Sequence, residues 1–285
     1  MKTPFIALLT DFGEKDYFVP SLKAVIAGIN PDARTIDITH EVPSFDVRAA
    51  SFILFSCYEF FPKGTVFLAV VDPGVASGRA ILLAATKKYF FIAPDNGLLT
   101  LPLRNEETVS LRRVTQSRYW LADGRTTFEA RDRMAPVAAW LTRGLAPQGL
   151  GPVVKNYKHL KIAEPRRSGS EILGEILYQD KFGNLMTNIP FSMLGSGAPS
   201  ITNPGFLLSL GRTRISRFAA SYAEVKDGRP FFLINSQGLI EVAVKEGSAA
   251  VALGATPGDP VRVRFEGCAF PARIRVKRKA EGKKP

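Results

Sequence analysis

One uncharged run, residues 65–71, constrains the fold of this chain more than any other stretch. All seven residues are apolar or β-branched, which is typical of a strand buried on both faces of a sheet. Asp72 ends the run, and the turn signal Pro73-Gly74 follows it. Because ligands bind beyond the carboxyl ends of strands in open α/β sheets, Asp72 lies where a functional carboxylate would lie. The alternative is a loop aspartate that bonds nearby backbone N–H groups.

Segments around this run alternate between strand-like and helix-like periodicity. The order strand, helix, strand, helix, strand implies right-handed crossovers and a mainly parallel sheet. The sequence therefore predicts an α/β N-terminal domain with a mainly parallel sheet over residues 1–165. The predicted strands are 5–9, 34–39, 65–71, 80–85 and 89–93, and the predicted helices are 17–30, 47–61 and one that follows 128–136 and ends near 143.

Helical periodicity is lost after about residue 165. Short apolar segments separated by Gly, Asn, Asp and Pro replace it, a pattern typical of small β-barrels and sandwiches. We expect an all-β (barrel-like) C-terminal domain over residues 170–276, followed by a basic, disordered tail at 277–285. The predicted strands are 172–179, 185–189, 206–210, 231–234, 239–244 and 261–265.

Composition narrows the class of protein. A chain of 285 residues suits two domains, and no apolar run reaches the roughly 18 residues that span a membrane. Only Cys57 and Cys268 are present, so we expect no disulfide framework and a cytoplasmic location. The net charge of +12 includes the basic tail, which is best interpreted as solvated. RRM and KH signatures are absent, so no specific nucleic-acid partner is expected.

Several common chemistries have no motif here. The sequence lacks G-x-G-x-x-G after a strand, a Walker A sequence, C-x-x-C and H-E-x-x-H. His40 and His159 are the only histidines, and we expect both on the surface, so a His-rich metal site is excluded. What remains are carboxylates after strands, including Asp11, Asp16 and Asp72. Such groups can hold the vicinal hydroxyls of a ribose or offset a cationic ligand.

Six blocks of sequence, in order along the chain, carry a resemblance to a known family. Together they resemble the S-adenosylmethionine hydroxide adenosyltransferases, adenosine-forming SAM hydrolases related to the fluorinase and chlorinase. The resemblance implies an enzyme with an N-terminal α/β domain and a C-terminal β-barrel. The blocks are 9–13, 38–43, 71–75, 93–99, 180–189 and 235–238.

The resemblance further implies a reaction and an assembly. Water or hydroxide attacks C5′ of the ribose and expels methionine, without a metal or a cofactor. The sulfonium is already a good leaving group, so the enzyme has to align and desolvate a water opposite sulfur. The family also implies a homotrimer, with each active site between the first domain of one subunit and the barrel of its neighbour.

Adenosine-binding residues follow from the resemblance, residue by residue. Asp11 is expected to hold the ribose hydroxyls. Tyr222 is expected to stack on the adenine, and Phe45 to pack on the other side of the nucleoside. The remaining adenosine contacts would be Asn184, Ser236, Glu241 and the backbone of Val244.

The methionine end of the substrate has its own implied set of residues. A carboxylate such as Asp180 suits an ammonium group because it accepts charge-assisted hydrogen bonds. The implied set is Asp16, Asp180, Ser236 and Gln237.

The water-positioning set departs from the family pattern at one position. Hydrolytic members use Asp, Arg and His, and Asp72 and Arg79 match the first two by spacing. The family's Phe-His-Gly-Arg-Asp reads Phe-Glu-Ala-Arg-Asp at 128–132, with Glu129 in place of histidine. Glu129 either pairs with Arg79, acts as a base if burial raises its pKa, or blocks the placement of water.

Two alternatives to hydrolysis remain open at this point. One is a non-catalytic protein that binds adenosine or S-adenosylmethionine, motivated by Glu129. The other is a SAM-dependent halogenase, which is less favoured. Halogenating members carry tyrosine where Asp72 stands, and a carboxylate there would repel a halide.

Overall fold

The computed structural model describes residues 3–124, 126–194 and 205–265. The chain divides into two compact units, Met1–Lys161 and Ile162–Pro285, and each contains one sheet. The predicted tail at 277–285 and Cys268 lie outside the described residues. Within the described residues, no helix is both long and apolar enough to cross a membrane.

The first unit is built on a six-stranded sheet. Its strands are β1 (Phe5–Thr10), β2 (Arg34–Thr39), β3 (Val66–Val70), β4 (Ile81–Thr86), β5 (Phe90–Pro94) and β6 (Thr108–Arg113), in the order β2-β1-β3-β5-β4-β6. Strand β1 pairs in parallel with β2 and β3, and β3 pairs in parallel with β5. Strand β4 runs antiparallel to β5 and β6. The predicted mainly parallel sheet is therefore confirmed, with an antiparallel edge that includes the unpredicted β6.

Strand β3 is buried along its whole length, as its composition predicts. Its side chains alternate between two apolar layers. Leu68 and Val70 join the layer formed by helices α1 (Phe18–Ile29) and α3 (Ala135–Thr142). Phe67 faces the other way and stacks on Phe91 with ring centroids 5.0 Å apart. Since both faces are covered, the strand's carboxyl end is fixed, and Asp72 follows it directly after Val71.

Two further helical segments shape the loops at this end of the sheet. Helix α2 (Val47–Cys57) is capped by Asp46, whose side chain accepts a hydrogen bond from Ala49 N. The α-helix stops at Cys57, short of the predicted residue 61, and a 3₁₀ turn follows. Before α3, residues Ala130–Met134 form a π-helical turn, a feature often found at functional sites. Glu129 lies at the start of this turn.

The second unit is a nearly barrel-shaped antiparallel sheet, which confirms the predicted all-β class. Strand β7 pairs with β8, and the other strands follow the order β11-β10-β14-β8-β9-β13-β12. Alternating burial points Val261 and Val263 into the core. The short helix α4 (Ala249–Leu253) was not predicted. The strands are β7 (Arg166–Ser168), β8 (Glu171–Gln179), β9 (Leu185–Pro190), β10 (Phe206–Leu210), β11 (Thr213–Ile215), β12 (Phe231–Ile234), β13 (Leu239–Ala243) and β14 (Pro260–Phe265).

Candidate active site

A buried ion-pair array lies beyond the carboxyl end of β3. Arg79 Nε donates to Asp72 Oδ2 at 2.6 Å, and Arg79 Nη2 bonds the same oxygen. Nη2 also donates to Glu129 Oε2 at 2.7 Å. The three side chains are 5%, 5% and 8% exposed for Asp72, Arg79 and Glu129 respectively. Arg79 therefore holds two carboxylates from different segments in one place.

Glu129 has a second cationic partner, Arg133. Arg133 Nη1 donates to Glu129 Oε1 at 2.7 Å, so each carboxylate oxygen of Glu129 accepts from a guanidinium group. Pairing with Arg79 was one of the three roles considered for Glu129, and it is present in the structure. With both oxygens engaged by strong donors, Glu129 is poorly placed to take a proton from water.

The array forms part of the wall of a cavity of about 370 Å³. Asp11 and Phe45 also line this cavity, as do Asp72, Phe128 and Glu129. Asp11 Oδ2 accepts a hydrogen bond from Phe45 N at 2.9 Å. Phe45 adopts a left-handed φ of 66°, which is uncommon for a bulky residue, and its ring is exposed. The cavity thus presents three carboxylates and several aromatic rings, and Arg79 fixes two of these carboxylates from outside the lining.

His40 supports the loop that carries Asp11, and the prediction that it lies on the surface is wrong. It is buried, with Nδ1 at 2.8 Å from Thr10 Oγ1 and Nε2 at 3.1 Å from Asp37 Oδ1. The pairing of β1 with β2 places Thr10 and Asp37 on either side of the ring, which the sequence alone does not reveal. His159 is exposed, as expected.

The second unit has a cavity of about 540 Å³ next to the turn between β8 and β9. Asp180, Asn184 and Tyr222 line it, together with Val244 and others. Asp180 Oδ1 accepts from the backbone N of Asn184 at 2.9 Å, and Asp180 Oδ2 accepts from Asn184 Nδ2 at 2.9 Å. The turn has a left-handed φ of 83° at Gly183, where a Cβ would lie 2.0 Å from Ser248 Oγ. Segment 180–184 is therefore both a hairpin turn and a cavity wall.

A buried carboxylate stands behind Tyr222. The Tyr222 hydroxyl donates to Glu241 Oε1, and Asn184 Nδ2 donates to Tyr222 Oη at 3.3 Å. Burial raises the pKa of Glu241 above its usual value. Burial, with the neighbouring Glu241, also raises the pKa of Tyr222. The phenol stays protonated and anchored by its oxygen, while the residue as a whole is 42% exposed and so accessible to a ligand.

Four of the predicted substrate residues do not line either cavity, and one of them, Glu241, is buried behind Tyr222. Asp16 is exposed in the loop before α1, and Ser236 and Gln237 are exposed in the turn between β12 and β13. That turn is held by Asn235 Oδ1, which accepts from Gln237 N and Leu239 N. The predicted contacts of these four residues with the substrate remain predictions.

Other reactive groups contribute little to the two cavities. Burial raises the pKa of the Cys57 thiol to about 11, so it is not a thiolate at neutral pH. In the described part of the chain, no three His, Cys, Asp or Glu side chains are grouped as a metal site.

Comparison with known protein families covers both units. The profile of the SAM hydroxide adenosyltransferase N-terminal domain matches residues 6–151. The profile of the SAM hydroxide adenosyltransferase C-terminal domain matches residues 174–262.

Individual relatives span nearly the whole chain. An (R)-S-adenosyl-L-methionine hydrolase of Thermus thermophilus is 38% identical, covering 90% of this chain and 98% of the relative. One from Salinispora tropica is 35% identical, covering 92% and 98%. A fluorinase of Actinoplanes is 27% identical over 84% of this chain and 90% of its own. A crystal structure of an uncharacterized conserved protein from Thermotoga maritima matches with a TM-score of 0.83 and 36% identity, covering 91% of this chain and 99% of that one.

Proposed function

The chain belongs to the SAM hydroxide adenosyltransferase family, and we propose that it is an enzyme that hydrolyses S-adenosyl-L-methionine to adenosine and L-methionine. Both family profiles match, and four relatives that are 30–38% identical bear the name (R)-S-adenosyl-L-methionine hydrolase. Fluorinases are more distant, at 24–27% identity. One observation carries the proposal within the chain itself. Asp72 is a buried carboxylate fixed by Arg79 at the wall of a cavity that also presents Asp11.

The reaction exchanges one bond for another at a single carbon. The water oxygen forms a bond to C5′ of the ribose, and the C5′–S bond breaks. The electron pair of that bond moves to the sulfonium sulfur, which leaves as the neutral thioether of methionine, and the water releases one proton. Because the departing sulfur becomes neutral, it needs no general acid. We therefore propose that the reaction requires no metal and no cofactor.

Asp72 has the geometry to orient the attacking water. Its Oδ2 is held by the Nε and Nη2 atoms of Arg79, and its Oδ1 accepts from Gly74 N at 3.2 Å. A carboxylate oxygen can accept more than one hydrogen bond, so Asp72 can also accept from a water and direct its lone pair toward C5′. The fixed array then supplies alignment, which is a large part of the catalysis such a displacement needs.

The substrate residues are divided between the two units. Asp11 and Phe45 would hold the ribose and one face of the nucleoside, and Tyr222, Asn184 and Glu241 the adenine. We propose that the first unit of one subunit completes its site with the second unit of a neighbour in a homotrimer, where Asp16, Ser236 and Gln237 would reach the methionine end. The exposed rings of Phe45 and Tyr222 are consistent with this. Native mass spectrometry tests the stoichiometry. The proposed location is the cytoplasm, on the basis of the low cysteine content.

The halogenase alternative is weakened by Asp72. By the resemblance to the family, its carboxylate would stand where halogenating members carry tyrosine, and a carboxylate there would repel a halide. The alternative of a protein that binds adenosine or S-adenosylmethionine without catalysis rests on Glu129. Turnover of S-adenosylmethionine by the purified protein would exclude it.

A direct assay tests the proposal. Purified protein is incubated with S-adenosyl-L-methionine containing both sulfonium epimers, because the relatives are named for the (R) form. Adenosine and methionine are followed by chromatography, with Asp72→Ala as the control. We expect equal amounts of the two products and consumption of the (R) epimer. Calorimetric binding with no adenosine above the control would favour a binding protein instead.

A further inference from the structure

A row of four alternating charges extends from the cavity into the protein. Asp72 bonds Arg79, Arg79 bonds Glu129, and Glu129 bonds Arg133. The last of these pairs uses the carboxylate oxygen that Arg79 leaves unused, so Glu129 bridges the two guanidinium groups. Arg133 lies four residues beyond Glu129 on the π-helical turn, outside the set of residues that line the cavity.

The guanidinium of Arg133 is itself held in place. It lies over the Trp120 ring, 4.5 Å from the centroid, and its Nη2 donates to the carbonyl oxygen of Gly124. Its side chain is 19% exposed. A cation so placed does not reach a ligand in the cavity, and it influences the reaction only through Glu129.

The charge balance explains why such a cation is needed. Asp72, Arg79 and Glu129 alone carry a net charge of −1 in a buried place. Arg133 brings the net charge of the four side chains to zero. A neutral histidine at position 129 would give the same net charge with no need for Arg133. An uncompensated negative charge would disfavour the conversion of the attacking water to hydroxide. It would also draw Arg79 Nη2, which the two carboxylates share, away from Asp72.

We propose that Arg133 is a positioning residue of the hydrolysis reaction: it neutralises and anchors Glu129, so that Glu129 can hold Arg79 on Asp72. This inference rests on the proposed function. Glu129 then serves as a bridge between two arginines, and Arg133 is what makes a carboxylate workable at that position.

The first test replaces Arg133. Arg133→Met should lower kcat by about 10²-fold, the effect of misplacing a catalytic group by roughly 1 Å, and leave KM unchanged. Arg133→Lys should recover part of the loss, because it retains the charge. The matched control is Arg143→Met. Arg143 also lies over a tryptophan, Trp140, and donates to a backbone carbonyl, that of Ile29, but it should leave kcat unaltered. Wild-type kcat in Arg133→Met would overturn the proposal.

The second test asks whether Arg133 acts through Glu129. If it does, Glu129→Gln/Arg133→Met should have the same kcat as Glu129→Gln alone, and multiplied losses would refute the link. Glu129→His/Arg133→Met should also have a higher kcat than Glu129→His, because in the single variant the histidine faces two guanidinium groups. If kcat does not rise in the double variant, the charge argument is contradicted.

The free energies of unfolding of the wild type, Glu129→Gln, Arg133→Met and the double variant, measured in urea, separate this proposal from the proposed function. If the wild type makes no adenosine, hydrolysis fails, while non-additive unfolding free energies would still support the Glu129–Arg133 pair. Additive values would reject the pair whatever the activity.

Discussion

In the first unit, the side chains of Asp72 and Glu129 are buried against guanidinium groups, whereas in the second unit Glu241 is buried against a phenol and the half-buried Asp180 is bonded by amide donors. In both arrangements the carboxylates accept hydrogen bonds. They differ in charge, because only the arginines offset the cost of burying an anion.

The difference suits the two cavities to the distinct chemical tasks that we propose for them. Because the donors around Glu241 are neutral, they offset little of the free-energy cost of burying its charged form, and its pKa is raised. A site of this kind suits recognition of an uncharged adenine, where donors, acceptors and a ring face are needed. The carboxylates of Asp72 and Glu129 are instead held by guanidinium groups, an arrangement that suits the alignment of a nucleophilic water near a sulfonium. The proposed catalysis therefore belongs to the first unit, and most of the base recognition to the second.

The largest effect is expected when the guanidinium that pairs with Asp72 and Glu129 is removed. Arg79→Met leaves Asp72 and Glu129 as two neighbouring anions in a buried place. It should lower the free energy of unfolding by about 3–5 kcal/mol, measured by urea titration. Arg79→Lys, which keeps one charge, should lose less. Equal losses in the two variants would mean that charge does not dominate this cluster.

A smaller effect is expected at the second cavity, on binding rather than on stability. Tyr222→Ala should weaken adenosine binding by about 1–3 kcal/mol, the usual contribution of a base stacked on an aromatic ring, as measured by calorimetry. Tyr222→Phe keeps the ring and should retain most of the affinity. If the alanine variant binds as tightly as the phenylalanine variant, adenine does not stack on Tyr222.

The smallest effect concerns pH and has opposite signs in the two units. The pKa of Glu241 is raised by burial, so its stabilising contribution is lost as pH rises through that raised value. Glu241→Gln should therefore gain stability relative to the wild type as pH rises above about 4.5.

Asp132 in the first unit provides the matched contrast. Burial alone would raise its pKa, but hydrogen bonds from Arg131 and Thr126 outweigh burial and lower it. Its contribution is present above the unfolded-state pKa and is lost on acidification. Asp132→Asn should therefore lose stability relative to the wild type as pH rises from acid to neutral. Stability relative to the wild type can be followed for both variants by thermal melts at several pH values. A change with pH in the same direction for both variants would contradict the comparison.

The fold could be predicted from the sequence where a segment is buried along its whole length. Strand β3 and the position of Asp72 follow from an uncharged run, and β2, β10 and β12 have the predicted bounds. Strand β6 was missed because it is a largely exposed edge strand with the sequence Thr-Val-Ser-Leu-Arg-Arg. Helix α4 was missed because five residues are too few to display a period.

The site could be predicted from the sequence only in part, because its contacts join segments that are distant along the chain. No local pattern shows that Arg79 reaches Glu129 across fifty residues of sequence, or that His40 is enclosed by Thr10 and Asp37. Arg133 was missed although a signal was present: it lies four residues after Glu129, a spacing at which helical charges pair.

The most direct test of the central claim follows the oxygen atom. The reaction is run in water enriched in heavy oxygen, and adenosine and methionine are analysed by mass spectrometry. The account predicts one heavy oxygen in the 5′-hydroxyl of adenosine, none gained by methionine, and no labelled adenosine with Asp72→Ala. Adenosine that forms without the label, or with undiminished labelling in the variant, would contradict attack on C5′ by a water that Asp72 positions.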